Sequence, residues 1–333
     1  MQTGNPLLPL LGPRDHGVET RARLETLTQE LASGRLADPG RALSSDFSAV
    51  SQATHALRTH DTRAAALSTA GTWLQTSQSS LDAVRAAGAR IGEELVAALG
   101  SSATPRVEAL AATARGALSD MASALDVRLG GRSVFGNGDP SGGPLIDFET
   151  LVTETRALAA AAPDLEALFL AFDDYFAAGG GIETNVLKSV PAAATRFPLG
   201  GGASVEVPVS LADPSIRDAL KQAALVAALP EAGFPLDGAP IGALALELPR
   251  RSAQIGGDVA QVQGRLGAVQ EQVERRTAEL ERKRTDLEAQ KADALGADPY
   301  DRASRLQEEM TRLETIYAVT ARRARLRLTD YLR

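Results

Sequence analysis

Apolar residues recur at alternating spacings of three and four positions near both ends of this 333-residue chain. Such spacing is typical of a helix that buries one stripe of side chains against a partner helix, as in a coiled coil. Proline and glycine interrupt the stripe near each end, in LTQELASGRLADPG (residues 27–40) and in GADP (residues 296–299). Because proline lacks the amide donor that a helix interior requires, each end is predicted to carry a terminal helix, a break and a longer inner helix.

The similar placement of the two breaks predicts how the helices pair. A heptad stripe needs a partner, and the simplest partner for each N-terminal helix is the C-terminal helix at the same distance from its end. The two breaks then form one joint between a short bundle and a long one. The predicted joint residues are Ser33, Gly34, Pro39, Gly40, Gly296 and Pro299. The predicted assembly seam of the terminal helices comprises Leu24, Leu27, Leu31, Leu306, Met310, Leu313, Tyr317, Ala324, Leu328 and Tyr331.

These patterns predict a mainly α fold of elongated coaxial helical bundles, formed by the N- and C-terminal arms, with a small mixed α/β insertion in the middle. The predicted divisions are a disordered leader (1–17), a terminal coiled-coil assembly domain (18–40 with 298–333), an inner helical bundle (41–145 with 250–297) and an inserted outer module (146–249). Within the insertion, Thr195–Leu199 and Val205–Val209 flank three glycines and predict a β-hairpin. Asp213 and Pro214 predict the start of a helix that ends near Leu229.

Composition excludes several classes of function. Aromatic residues make up only 4% of the chain, which favours close packing of helices through alanine, leucine and valine. The net charge of −7 argues against nucleic-acid binding, which requires positive surface. The absence of cysteine excludes thiolate chemistry and disulfides. His55 and His60 are five positions apart and do not form an i,i+4 metal pair. No apolar run is long enough to span a bilayer, so we expect no membrane partner.

Two further features suggest enzymatic sites only weakly. The glycines of GGRSVFGNGDPSGG (residues 130–143) lack the GK[ST] sequence and the preceding strand of a phosphate-binding loop, so a turn is the better interpretation. Asp173 and Asp174 are adjacent, and adjacent side chains on a helix diverge. We therefore predict no catalytic residue, no cofactor and no metal.

Four motifs resemble segments of the flagellin family, specifically of the hook-associated proteins at the junction between flagellar hook and filament. LTQELASGRLADPG stands where the family has its Ser-Gly turn, and AALSTAGTWLQTSQSSLDAV (65–84) is similar to the family's "WLQTTDSALSEV" helix. LGGRSVFGNGDPSGGPL (129–145) resembles "LGGRYLFSG", and RLETIYAVTARRARLRLTDYL (312–332) resembles "QLEASYAATARLSQLSLLDYL". The resemblance covers both arms, roughly 18–145 and 250–332.

The resemblance implies a structural, secreted component of the bacterial flagellum that serves motility and is not an enzyme. Such a protein is exported through the flagellar type III apparatus without a cleaved signal peptide, and an export chaperone is an expected partner. It assembles with itself into a ring, between a hook-side junction protein and flagellin. Its terminal helices are expected to order on assembly, because a lone short amphipathic helix is marginal in water.

Two alternatives remain open from the sequence. A flagellin that forms the filament itself would carry the same two arms. An intracellular coiled-coil scaffold would explain the heptads but neither the paired breaks nor the apolar leader PLLPLLGP.

Overall fold

The computed structural model of the chain describes residues 13–42, 47–99, 104–136, 140, 143–188, 194–236 and 238–331. Helices make up most of these residues, and the two sheets found among them have two short strands each, which confirms the mainly α fold class. The helices are α1 (Pro13–Ser33), α2 (Pro39–Ala42), α3 (Ser48–Leu99), α4 (Thr104–Leu125), α5 (Phe148–Ala161), α6 (Leu165–Phe176), α7 (Pro214–Ala228), α8 (Gly238–Ala294) and α9 (Pro299–Tyr331). The strands are β1 (Arg128–Leu129), β2 (Arg132–Ser133), β3 (Thr195–Gly200) and β4 (Ala203–Val207), and short π- and 3₁₀-helical turns cover Ile182–Val186 and Leu229–Glu231.

The chain packs into two compact units, and the boundaries between them fall inside α3 and α8. The terminal unit comprises Met1–His60 and Glu281–Arg333, and the central unit comprises Asp61–Leu280. The segment 146–249, which the sequence predicts as a separate outer module, therefore belongs to the same unit as the inner helices. The physical reason is that its buried side chains lie in the same hydrophobic core as those of α3 and α8.

Within the central unit, α3 and α8 run in opposite directions and exchange polar contacts across their interface. The Gln78 side-chain amide donates to the Gln263 carbonyl at 2.8 Å, and the Gln263 amide donates to a carboxylate oxygen of Asp82 at 2.9 Å. The buried side chains of the two helices that share this core include Leu81, Val84, Ile91, Val262 and Leu266. The sequence pattern of the two inner arms predicts this shared core.

Helix α7 occupies the interior of the central unit, because nearly all its side chains are buried. Its start agrees with the sequence: Asp213 accepts a hydrogen bond from the Ser215 amide at 3.1 Å, and Pro214 is the first helical residue. The second carboxylate oxygen of Asp213 lies 3.0 Å from the Arg265 guanidinium on α8. One aspartate therefore caps α7 and ties it to the C-terminal arm.

The predicted hairpin is present, with β3 and β4 antiparallel. Alternate side chains of β3 are buried, and the Phe197 ring packs edge-on against Trp73 of α3 with 5.6 Å between the ring centroids. The turn consists of Gly200, Gly201 and Gly202, whose φ angles are 78°, 61° and 80°. Glycine tolerates this left-handed backbone at little steric cost, which explains three glycines in succession.

Helix α8 begins at Gly238, not near Arg250 as the sequence predicts. The predicted boundary between the outer module and the inner bundle falls at Pro249, but the helix continues through this proline. Leu244 and Leu248 are almost completely buried, and the side-chain amide of Gln222 donates to the Leu248 carbonyl at 3.1 Å. This tertiary packing outweighs the unfavourable intrinsic preference of proline for a helix interior.

The N-terminal boundaries also differ from the predicted ones. Helix α1 begins at Pro13 and not at Val18, since proline fits the first helical turn, where the amide is unpaired in any case. The predicted helix from Arg41 is divided into the short α2 and α3, which begins at Ser48. The rest of the predicted leader, residues 1–12, lies outside the described residues.

Candidate assembly surface and joint

Helices α1 and α9 pack against each other in the terminal unit and run in opposite directions. Two pairs of side chains cross their interface towards the start of α1. Arg21 Nε donates to the Tyr317 hydroxyl at 2.9 Å, and the same guanidinium lies 5.5 Å from the centre of the Tyr317 ring. Arg23 lies 3.5 Å from the Glu309 carboxylate. Each terminal helix therefore has an intrachain partner, and these polar contacts flank the predicted apolar seam.

The predicted seam residues differ widely in burial. Leu27 is buried, while Leu24, Leu306 and Leu313 are partly buried. Leu31 is 38% exposed, Tyr317 47% and Met310 53%. The side chains of the other predicted seam residues, Ala324, Leu328 and Tyr331, lie outside the described part of the structure.

Pairing with α1 leaves much of the seam of α9 accessible. Between Pro299 and Arg322, the part of α9 whose side chains are described, every side chain is at least partly exposed. Val18 and Val319 add further exposed apolar surface in this unit, at 66% and 53%. Sequence reasoning missed these two valines because neither lies on the heptad positions that define the seam.

The two sequence breaks contact each other through their backbones. The Leu36 amide donates to the Leu295 carbonyl at 3.0 Å, and the Ala297 amide donates to the Gly34 carbonyl at 3.0 Å. These bonds flank an antiparallel bridge between Arg35 and Gly296. Both breaks lie inside the terminal unit, whereas the sequence predicts a joint between two bundles.

The other predicted joint residues start and end helices. Ser33 is the last residue of α1, and Gly34 follows it with a φ angle of 67°, which reverses the backbone. Pro39 is the first residue of α2 and is followed by Gly40. Pro299 is the first residue of α9, where the preceding Asp298 accepts a hydrogen bond from the Tyr300 amide at 2.9 Å. The structure thus brings Gly34 and Gly296 together, while the two prolines begin separate helices.

Sequence reasoning missed an ion pair between Glu30 of α1 and Arg302 of α9. The nearest nitrogen and oxygen are 3.3 Å apart, and the Glu30 side chain is only 6% exposed. The second carboxylate oxygen of Glu30 accepts from the Ala37 amide at 2.9 Å. The sequence does contain a sign of this pair. Glu30 follows Leu27 by three positions and Arg302 precedes Leu306 by four, so each charge lies beside the apolar stripe of its helix.

The described residues contain no group of three or more histidine, aspartate or glutamate side chains arranged to hold a metal ion. His55 is exposed and His60 is buried. In the ranges that the structure covers, no helix combines the length and apolarity required to cross a membrane.

A half-open groove of about 680 Å³ lies between α3, α7 and α8 in the central unit. Its walls are mainly apolar and small, and they include Gly88, Gly92 and Ala219. The charged lining residues are Arg85 and Glu93.

Comparison with known families identifies one similarity. Residues 254–332 match the family model described as the bacterial flagellin C-terminal helical region. The matched segment covers about a quarter of the chain and includes most of α8 and all of α9. A search of curated proteins finds no match. The match supports the flagellin family over this segment, and with it a structural role in the bacterial flagellum.

Proposed function

We propose that this chain is a secreted structural subunit of the bacterial flagellum that joins the hook to the filament by assembling through its terminal helices. The observation that carries the proposal is the match of residues 254–332 to the flagellin C-terminal helical region. The four sequence motifs support it further, because they occur in the family's order and on both arms. A structural family also favours a role without catalysis.

The packing of the terminal unit supports assembly through α1 and α9. A pair of helices that buries few side chains is marginal by itself, because fixing its backbone has an entropic cost that little apolar burial offsets. The exposed Met310, Tyr317 and Val319 are available to a neighbouring copy. In a closed ring each subunit repeats the same contact, so a modest gain per contact stabilises the whole assembly.

Variants of α9 test the assembly role. Met310→Asp adds a charge to an exposed seam position, and we expect it to prevent stable assembly because a buried, unpaired charge cannot be solvated. Thr311→Asp is the matched control, since it adds the same charge to an exposed position one residue away and off the seam. Electron microscopy of flagella from a strain lacking the gene, complemented with each variant, gives the readout. Normal flagella with Met310→Asp would refute assembly through this seam.

Deletion of the gene separates the junction from the filament role. Loss of a junction protein leaves hooks without filaments while filament protein accumulates in the medium. Loss of the filament protein itself leaves bare hooks and no such protein in the medium. The C-terminal RLETIYAVTARRARLRLTDYL favours the junction, whereas the match to the C-terminal helical region supports either role equally.

An intracellular coiled-coil scaffold is the alternative from a different class. Export by the flagellar apparatus, with the help of a chaperone, requires that the chain appears outside the cell. Fractionation of the culture would distinguish an exported subunit from a scaffold. A scaffold stays with the cells, and its location does not change when the export apparatus is lost.

A further inference from the structure

The ion pair between Glu30 and Arg302 is the most buried one among the described residues of the terminal unit. Its side chains are 6% and 16% exposed. Every other ion pair among the described residues of this unit has at least one partner that is 40% exposed or more, as in Glu19–Arg23 and Asp301–Arg305. Burial makes the pair unusual, because charges are removed from water only at a large desolvation cost unless they are paired.

The two oxygens of the Glu30 carboxylate contact two different elements. One oxygen faces the Arg302 guanidinium in the first turn of α9, at 3.3 Å. The other accepts the Ala37 amide from the loop that follows α1, at 2.9 Å. Arg302 also lies 3.7 Å from Asp301. Glu30 therefore joins α1, the joint and α9 at a single point.

We propose that Glu30 and Arg302 are positioning residues that set the register of α1 against α9. Leucines at three- and four-residue spacing pack almost as well after a slide of one helical turn, so the apolar stripe specifies the register weakly. Such a slide would bring Leu306, four residues after Arg302, opposite Glu30. The glutamate would then be buried without its partner, which strongly disfavours the alternative register.

The register determines where the exposed apolar side chains of α9 lie relative to those of α1. With Glu30 opposite Arg302, the exposed Met310 and Val319 have one fixed position along the helix pair. If the terminal pair is the assembly surface of a flagellar subunit, as proposed above, this ion pair selects the surface that each copy presents to its neighbours. The register itself is a property of the single chain and is measured without assembly.

Distance measurement between spin labels tests the register directly. The chain contains no cysteine, so cysteines introduced at the exposed Glu25 and Thr320 provide the two label sites. We expect one narrow distance in the otherwise unsubstituted, full-length chain. In the double variant Glu30→Leu with Arg302→Met, which keeps the interface apolar, we expect a broadened distribution with a population displaced by about 5 Å, one helical turn. Arg284→Met with Glu288→Leu removes an exposed pair within α8 and should leave the distance unchanged.

Three outcomes would overturn the proposal. The first is a broad distribution in the unsubstituted chain, and the second is an unchanged narrow distance in the double variant, which would mean that the backbone bridge at Arg35 and Gly296 is sufficient. If the double variant loses its helical circular dichroism, Glu30→Gln with Arg302→Met decides, because the glutamine keeps an oxygen that accepts the Ala37 amide while the charge is removed. An unchanged narrow distance in that chain is the third. A narrow distance in a chain that does not form flagella would instead refute the proposed function, and the proposal that Glu30 and Arg302 set the register would stand.

Discussion

At the scale of single residues, the backbone and charge requirements of a few positions determine where the chain can turn. Gly34 is the joint residue that directly follows α1; its φ angle is 67°, and its carbonyl accepts the Ala297 amide at 3.0 Å. A side chain at this position would meet open space, so the constraint comes from the backbone angle and not from crowding. Helix α1 contains Gly17, which has ordinary helical backbone and so serves as a matched comparison for Gly34.

Gly34→Ala should destabilise the terminal unit by about 1–2 kcal/mol, because a residue with a Cβ atom is strained in left-handed backbone. Gly17→Ala, which also meets no atom within 4 Å, should instead stabilise α1 by up to about 1 kcal/mol. Hydrogen exchange of the α1 amides measures both effects. Equal protection in the two variants would contradict the left-handed turn at Gly34.

The phenol of Tyr175 makes the free energy of unfolding depend on pH. Burial, followed by the hydrogen bond to Glu154 at 2.6 Å, raises the pKa of this phenol well above its ordinary value of 10.0. The folded chain therefore retains the phenol proton at pH values where the unfolded chain releases it. By linkage, the stabilisation is complete below about pH 10 and is lost as the pH rises further, by up to about 1.4 kcal/mol per pH unit.

Tyr175→Phe should flatten the loss of stability above pH 10, because it removes the group that binds the proton more tightly in the folded state. Tyr300→Phe is the control, since Tyr300 is 87% exposed. Urea unfolding between pH 8 and 11 gives the measurement, with the fluorescence of Trp73, the single tryptophan of the chain, as the probe. The same slope in Tyr175→Phe and in the unsubstituted chain would show that other groups cause the pH dependence.

At the scale of elements, the two arms depend on each other for burial. Leu266 of α8 is fully buried in the core that contains Leu81 of α3, and Trp73 of α3 packs against Phe197 of the hairpin. A helix such as α8 buries only one stripe, and its exposed face carries residues such as Leu246, which is 79% exposed. The same residue type thus contributes very differently on the two faces of one helix.

Leu266→Ala should reduce the free energy of unfolding of the central unit by about 2–5 kcal/mol, through lost apolar burial and the cavity that remains. Leu246→Ala removes the same atoms from an exposed position and should change the free energy of unfolding by no more than about 0.5 kcal/mol. Urea unfolding followed by Trp73 fluorescence measures both. A small effect at Leu266 would mean that the arms fold independently.

At the scale of the whole molecule, the two compact units differ in how much apolar surface they bury. The central unit contains one extensive core from Leu67 to Val273, while the described part of the terminal unit has few buried apolar side chains, namely Leu27, Ala53 and Ala297. Because hydrophobic burial supplies most of the stability of a fold, the terminal unit should open more readily.

Limited trypsin digestion should therefore remove the terminal unit first and leave the central unit, residues 61–280. The trypsin sites nearest its boundaries are Arg58 on one side and Arg282 on the other. Mass spectrometry of the resistant fragment identifies its ends. The predicted domains divide at the joint, which would leave a longer fragment, residues 41–297, and recovery of that fragment would favour a division there. Resistance of the intact chain would contradict an unequal distribution of stability.

The sequence by itself determined the helical character of the chain and the places where it turns, because these features depend on local chemistry. The heptad spacing predicts long helices, and Pro299, Asp213 and the glycines at 200–202 mark a helix start, a helix cap and a hairpin turn that the structure contains. Each of these preferences is a property of a few neighbouring residues, so it can be read without knowledge of the fold.

The tertiary structure alone decided which segments share a core. His60 of α3 is buried although its imidazole is polar. Likewise, the burial of Leu244 and Leu248 stabilises the part of α8 that precedes Pro249. Glu30 pairs with Arg302, which lies 272 positions later in the sequence. Burial of a polar side chain, tolerance of a proline and choice of register all depend on partners that are distant in the chain, because their free energies arise from contacts that form only on folding.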